Sequence, residues 1–372
     1  MAGPRILILS ASIGEGHDLP ARVLAEGIAE EDPAAEVEVA DALEIVSPAI
    51  RKMLIAGSQF HSAWGNRFFD LEYRLITGFA PTRWLARTIL ARPASRRVGR
   101  ALALAAPDLV VSTYPGATEV LGTLRARGRL QVPTVSAITD LAALLYWAHP
   151  AVDLHLITHP ESAEEVRSIA PRSSIACVRG LTDRSFYEPR EPAAARRALG
   201  LPGENSLVVV SGGGWAVGDL AGAAEVALEE PDVTVVCLCG RRDDVLEELT
   251  RRFADEERVL VWSFTDRMSD LLAAADVLVH STAGLTVLEA IMRGCRAISY
   301  GWGRAHVRVN NEAFARFGLA GVATTREELR AKLHCSLAAP RVPDRSFEAL
   351  PTAASLVLQL AGQSPAARAG LR

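Results

Sequence analysis

A histidine closes the run Ser10-Ala-Ser-Ile-Gly14-Glu-Gly16-His17, between an apolar segment and a helical pattern (Leu19, Val23, Leu24, Ile28). A Gly-x-Gly turn there lets another group approach the backbone, and the start of the following helix favours negative charge. An imidazole of ordinary pKa, ~6.5, is mostly neutral at pH 7, as a general base acting on a hydroxyl must be. A helix-capping histidine without chemistry is the other use of the same residue. The third glycine of a dinucleotide fingerprint would fall near Leu19, so the run is not that motif.

Two further strand-to-helix turns carry chemistry. The first is Leu207-Val-Val-Val-Ser211-Gly212-Gly213-Gly214-Trp215-Ala-Val-Gly218-Asp219. Its three glycines suit a phosphate, and the missing Lys-Ser/Thr pair excludes a P-loop NTPase. The second is Asp276-Val-Leu-Val-His280-Ser281-Thr282-Ala283-Gly284-Leu285-Thr286-Val287-Leu288-Glu289. Hydroxyls and amides at such a helix start can hold a diphosphate. Glu289, a turn further in, can accept from two neighbouring ribose hydroxyls, or be a plain surface acid.

These turns need elements to position them. Short β-rich runs alternate with helical patterns along the whole chain, which predicts parallel sheets with helices on both faces. The first half offers continuously apolar strands over Arg5–Ser10, Glu36–Ala40, Asp108–Thr113, Pro133–Ile138 and Asp153–Thr158. The second half repeats them over Ser206–Ser211, Val233–Leu238, Arg258–Trp262, Asp276–His280 and Arg296–Tyr300. A polar, proline-bearing stretch separates the halves. The expected organisation is a domain over 1–180, a linker over 181–192, a second domain over 193–340 and a tail over 341–372, with a ligand cleft between two doubly wound α/β domains.

Composition bounds the rest. The 372 residues are 49% hydrophobic and 23% charged with a net charge of −4, which excludes a disordered chain, a coiled coil and a collagen-like fibre. No apolar run reaches the ~18–20 residues of a membrane span, and the N-terminal one is too short for a secretion signal. Five scattered cysteines read as buried, reduced thiols of a cytoplasmic protein. Residues 51–100 are different: ten Lys/Arg face two acids, Asp70 and Glu72, and the segment holds seven of the chain's aromatics. Cations interleaved with rings, among them Trp64, Phe68, Arg83, Trp84, Arg87 and Arg92, suit a helical surface in the headgroup layer of an anionic membrane. A core face backed by solvated arginines fits the same residues. Nucleic acid does not, because the chain is acidic overall and carries no nucleic-acid motif.

Phe264-Thr-Asp266-Arg-Met268, followed by Ala275-Asp276 through Glu289-Ala-Ile, resembles the nucleotide-binding half of GT-B glycosyltransferases. Within them it resembles the lipid-II N-acetylglucosaminyltransferases and the monogalactosyldiacylglycerol synthases. The N-terminal half resembles the latter through Gly14-x-Gly16-His17, Thr139-Asp140, Trp147, His149-Pro150, Asp153 and Arg179-Gly180-Leu181. The resemblance covers roughly residues 5–335. It implies a GT-B fold of two Rossmann-like domains facing a central cleft. The implied reaction is inverting transfer of a hexose from a UDP-sugar to a membrane lipid such as diacylglycerol, with no metal and no cofactor beyond the donor. Consistent with that, no Asp-x-Asp pair stands at a strand end to hold a divalent ion. The departing diphosphate then falls to the amides of Gly212, Gly213 and Gly214 and of the turn Ser281, Thr282 and Gly284 with Thr286. By the same resemblance Phe264 lies beside the uracil, Glu289 takes the ribose, His17 deprotonates the acceptor and Asp140 orients or assists it. Sugar hydroxyls fall to His306, Asn310 and Asn311. The implied location is the inner face of the cell membrane, attached peripherally.

Three departures bear on the acceptor and the sugar. Glu15 replaces a glycine of the family's Gly-Gly-Gly-His run, Leu141–Leu145 lacks the histidine that often follows Thr-Asp, and Gly303–Asn311 replaces a Gln-rich stretch. Three other readings share these residues: the same chemistry on a polyprenyl-linked, cell-wall or soluble acceptor, a UDP-sugar 2-epimerase, and a sugar-nucleotide-binding protein without turnover. The epimerase needs several carboxylates around the sugar, and Asp140, Glu15 and Asp219 are the candidates.

Overall fold

Runs of Val, Ile and Leu too short for helices can be covered on both faces only within a parallel sheet flanked by helices. The computed structural model describes residues 3–12, 15–47, 91–281, 284–301 and 305–363. They fall into two units, Met1–Asp183 with Ala349–Arg372, and Arg184–Glu348. The first contains β1 (Arg5–Ser10), α1 (Glu15–Glu31), β2 (Glu36–Asp41), α2 (Ala42–Val46), α3 (Ala91–Ala105), β3 (Leu109–Ser112), α4 (Pro115–Ala126), β4 (Thr134–Ile138), β5 (Leu154–Ile157), α5 (Ala163–Ile169) and β6 (Ser174–Cys177). The second contains α6 (Pro192–Leu199), β7 (Ser206–Ser211), α7 (Leu220–Ala227), β8 (Val233–Leu238), α8 (Asp243–Arg252), β9 (Val259–Trp262), α9 (Met268–Ala274), β10 (Val277–His280), α10 (Leu285–Met292), β11 (Arg296–Tyr300), α11 (Ala305–Arg316), β12 (Gly321–Ala323) and α12 (Arg326–Ala338). A last helix, α13 (Ala353–Gly362), belongs to the first unit.

Among the described residues each unit has one six-stranded, all-parallel sheet, ordered β2-β1-β3-β4-β5-β6 and β12-β11-β10-β7-β8-β9. The winding reverses between β1 and β3 in the first sheet and between β7 and β10 in the second. Ligands of such sheets bind at the strands' carboxyl ends beside these reversals. The central strands β3, β4, β8 and β10 are buried along their whole length.

The expected strands recur with small shifts at their ends, and two were missed. Short β6 and β12 sit on sheet edges, where a strand of three or four residues needs no long apolar run. β2 corrects the expectation of continuous burial: it too is an edge, and Glu36 and Glu38 face solvent. The thiols need a correction as well. All five are free, but only Cys237, Cys239 and Cys295 are buried, while Cys335 is exposed. Burial pushes the Cys237 and Cys295 thiols up to about 12, so they stay protonated.

The expected tail divides. Residues 341–348 stay with the second unit, and α13 packs on α1, sharing a core of Ala21, Leu24, Ile28, Ala354 and Val357. The Thr352 hydroxyl donates to Glu31 at 2.5 Å, and the Arg179 guanidinium donates to the Leu350 carbonyl at 3.1 Å. Part of the stretch expected as a linker is likewise packed, at Leu181, Thr182 and Phe186. Phe186 is buried under Arg293, whose guanidinium donates to the Ser185 and Glu188 carbonyls.

At the opposite, amino-terminal edge, aspartates set the register. Asp108, Asp153 and Asp276 each precede a strand and accept an amide at the start of its neighbour, from Arg5 (2.8 Å), Thr134 (2.9 Å) and Leu207 (2.8 Å). Arg125 and Arg196 complete two of these clamps at 2.5 and 2.8 Å. Asp153, a marker of the resemblance, is therefore a framework residue at the far edge from the carboxyl ends. The nearly buried Arg196 also donates to the carbonyls of Ala274 and Asn205. Removing one partner of such a pair strands a charge. Arg196→Met is expected to destabilise the second unit by about 2–4 kcal/mol, seen as a lower urea midpoint for that unit's transition. An unchanged midpoint would mean the clamp is dispensable.

Candidate active site

In the first unit the reversal lies between the carboxyl ends of β1 and β3, and His17 sits there. α1 begins at Glu15, so Gly16 and His17 occupy its first turn rather than a loop ahead of it. Gly14 lies outside the described residues, as does the side chain of Glu15. The His17 Nδ1 is 3.0 Å from the carbonyl oxygen of Thr113, and the Thr113 hydroxyl donates back to the His17 carbonyl at 3.0 Å. A carbonyl only accepts, so Nδ1 carries the proton and the lone pair is on Nε2. Two rings flank the imidazole: Tyr114 edge-on at 5.2 Å and Trp147 tilted at 5.6 Å between centroids.

Proline explains how the second half of this site docks. Pro20 inside α1 has no N–H for the Gly16 carbonyl. The Thr139 hydroxyl reaches that carbonyl at 3.5 Å, bringing the Thr139-Asp140 turn to the start of α1. Asp140 does not take the Nδ1 proton of His17. Its carboxylate accepts the Trp147 indole N–H at 2.9 Å, so the backbone of Thr113 orients the imidazole and Asp140 anchors the adjoining tryptophan. Buried hydroxyls bond the backbone of both ring-bearing residues. Ser112 donates to the Tyr114 carbonyl (2.7 Å), Thr118 contacts Ser112 (3.0 Å) and Ser136 (3.1 Å), and Ser136 donates to the Trp147 carbonyl (2.7 Å). Burial holds His155 and His159 down at about 4, so both are neutral framework residues.

In the second unit the turns after β7 and β10 meet at the other reversal. The chain folds back at Gly212, where a Cβ would lie 2.4 Å from the Val217 nitrogen. Gly218, at φ +106°, abuts Ser281 so closely that a Cβ would come within 2.6 Å of the serine Cβ. The Ser281 hydroxyl donates to the Val217 carbonyl. Gly213 and Gly214 are half-buried in a short 3-10 turn, and the Ser211 hydroxyl accepts from the Gly213 amide at 3.2 Å. Gly284, at φ +96°, leads into α10, with Thr286 half-buried in its first turn. Thr282 lies outside the described residues. Glu289 is 5% exposed, which overturns the surface-acid reading: it lies on a buried side of α10.

Asp219, by contrast, is a framework acid. It caps α7 through the Gly222 amide (2.8 Å), accepts the Tyr300 hydroxyl (3.3 Å) and lies 3.6 Å from Arg326. Burial and the neighbouring Asp219 both raise the Tyr300 pKa, so its hydroxyl remains a donor. Phe264 is 45% exposed beyond β9, with the Arg241 guanidinium 3.9 Å above its ring. Asn310 and Asn311 are 0% and 4% exposed, and the His306 side chain lies outside the described residues. So do Trp64, Phe68, Arg83, Trp84 and Arg87, together with the side chain of Arg92. On the described part of α3, Arg96, Arg97 and Arg100 are exposed, opposite buried Ala94, Val98 and Leu102.

Sequence reasoning missed Thr113 and Tyr114, whose only signal is their place directly after a strand. It also passed over Arg241, which follows a strand and a glycine. Trp147 was visible as a marker but not as the partner of Asp140.

Residues 17–181 match the family model described as Monogalactosyldiacylglycerol (MGDG) synthase. The chain is 23% identical over 328 residues to the Processive diacylglycerol beta-glucosyltransferase of Bacillus subtilis (strain 168), covering 87% of this chain and 85% of that one. Among solved structures, Acinetobacter baumannii MurG superposes with a TM-score of 0.58 at 15% identity over 96% of this chain and 99% of that one. Anabaena Alr3699/HepE, solved with UDP and glucose, does so at 0.51 and 19% identity over 97% and 95%. The two structural likenesses establish the fold. With the family match over residues 17–181 and the relative added, the comparisons support the GT-B glycosyltransferase superfamily of the monogalactosyldiacylglycerol synthases and lipid-II N-acetylglucosaminyltransferases.

Proposed function

We propose that this protein transfers a hexose from a UDP-sugar to a diacylglycerol-type lipid at a membrane surface, inverting the anomeric carbon without a metal ion. The observation that carries this reading is the His17–Thr113 pair, which puts the lone pair of a strand-end imidazole on Nε2. The B. subtilis relative is named for a diacylglycerol acceptor, and the Anabaena neighbour was solved with UDP and glucose.

The lipid hydroxyl oxygen attacks C1 of the sugar while its proton passes to Nε2 of His17. The bond from C1 to the diphosphate breaks, and UDP leaves with the electron pair. The growing negative charge on the leaving group is met by the amides of Gly212–Gly214 and the start of α10. Glu289 accepts the ribose hydroxyls and Phe264 borders the uracil. Asp140 assists through Trp147, which it anchors beside the imidazole. The sugar-reading role of His306, Asn310 and Asn311 belongs to the same proposal. For the asparagines it requires hydroxyls that reach a buried pair. The epimerase reading is disfavoured because Asp219 is occupied as a helix cap and Asp140 as a tryptophan anchor.

Incubation with UDP-sugars and mixed lipids tests the reaction class: labelled glycolipid supports it, whereas a new sugar epimer without acceptor replaces it. His17→Ala is expected to lower kcat by roughly 10²–10⁴-fold with UDP affinity nearly unchanged; normal turnover removes the base. Glu289→Gln and Glu289→Ala are expected to weaken UDP binding by about 1–3 kcal/mol in calorimetry. Wild-type UDP affinity in both variants would put the ribose elsewhere.

Membrane attachment through the 51–100 segment completes the proposal. No helix among the described residues is long and apolar enough to cross a bilayer. Exchanging Arg83, Arg87 and Arg92 together for Glu should sharply reduce sedimentation with anionic vesicles, in a salt-sensitive way. Undiminished binding would reduce the segment to a solvated face.

A further inference from the structure

The turn after β8 reads Cys239-Gly240-Arg241-Arg242, and its two arginines have different surroundings. Arg242 is bidentate on Asp244, with Nε and Nη2 at 2.7 and 2.5 Å from the two carboxylate oxygens. Arg241 is held against the glycine turn that follows β7. Its amide donates to the Gly214 carbonyl at 2.9 Å, and a Cβ placed on Gly214 would sit 3.6 Å from its Nη1. Its guanidinium lies 3.9 Å above the centroid of the half-exposed Phe264 ring.

Gly240 makes this approach possible. At φ +55° it lies where a Cβ would come within 2.5 Å of the Gly213 carbonyl oxygen and 2.6 Å of that of Gly214, so the two turns touch through bare backbone. An anion held by the amides of Gly212–Gly214 is thus within reach of a full positive charge.

We infer that Arg241 is a donor-binding residue whose guanidinium meets the diphosphate of the nucleoside diphosphate sugar, with the Phe264 ring holding it beside the glycine turn beforehand. This rests on the UDP-sugar reading above. A planar guanidinium matches pairs of phosphate oxygens, and a charge-assisted bond of that kind outweighs stacking on an exposed ring. Partial charges on amides alone leave much of a departing diphosphate's charge unmet, and Arg241 supplies a whole one.

Calorimetric titration of wild type, Arg241→Ala and Arg241→Lys with uridine and with UDP tests the assignment. Because Arg241 is exposed, both variants should keep the circular dichroism spectrum of wild type. Arg241→Ala is expected to weaken UDP binding about 10- to 100-fold and leave uridine within about twofold, with Arg241→Lys between. Wild-type affinity for UDP in Arg241→Ala, or equal losses for uridine and UDP, overturns the assignment and leaves the donor reading standing. If wild type binds neither uridine nor UDP, the donor reading falls and this inference with it.

Discussion

A parallel sheet sends every strand's carboxyl end to the same edge, and reversing the strand order opens a gap between two of those ends. The candidate chemistry of this protein depends on that constraint. In the first unit the gap between β1 and β3 brings the start of α1 against Thr113, and one backbone carbonyl settles which imidazole nitrogen holds the proton. In the second, the gap between β7 and β10 presses Gly218 against Ser281. Neither pairing needs residues close in sequence; both follow from which strands lie side by side.

The two edges of each sheet use acids differently. At the amino-terminal edge Asp108, Asp153 and Asp276 receive strand amides, and arginines neutralise two of them, a purely architectural use. At the carboxyl edge Asp140 and Asp219 fix loops: one anchors the ring beside His17, the other caps the helix that follows the glycine turn. Glu289 differs from all five, a carboxyl nearly closed off within an apolar helix.

Glycine and proline act here through what they lack. Gly240 lacks the Cβ that would strike the carbonyls of Gly213 and Gly214, so the turns after β7 and β8 close on each other. Pro20 lacks the N–H that would bond Gly16 within α1, and the Thr139 hydroxyl reaches the carbonyl instead. Through these gaps, side chains far apart in the chain are drawn to one edge.

Much of this was written in residue types alone. Repeated apolar runs, each followed by a glycine or Ser/Thr turn and a helical pattern, determined two doubly wound units, ten of the strands and the turns at their ends, because burial on both faces admits no other use of such runs. His17, the glycine turn and Glu289 stood out as candidates because their positions after strands are local facts. Other features required the folded chain. The inward course of Glu289, the engagement of Asp140 by Trp147 instead of His17, the return of α13 to α1 and the stack of Arg241 on Phe264 all join residues separated in sequence or settle a helix's buried side. Local pattern fixes which element forms and where it ends. Only packing decides which side chain another finally touches, because that contact depends on strand order, and strand order is set by the whole sheet at once.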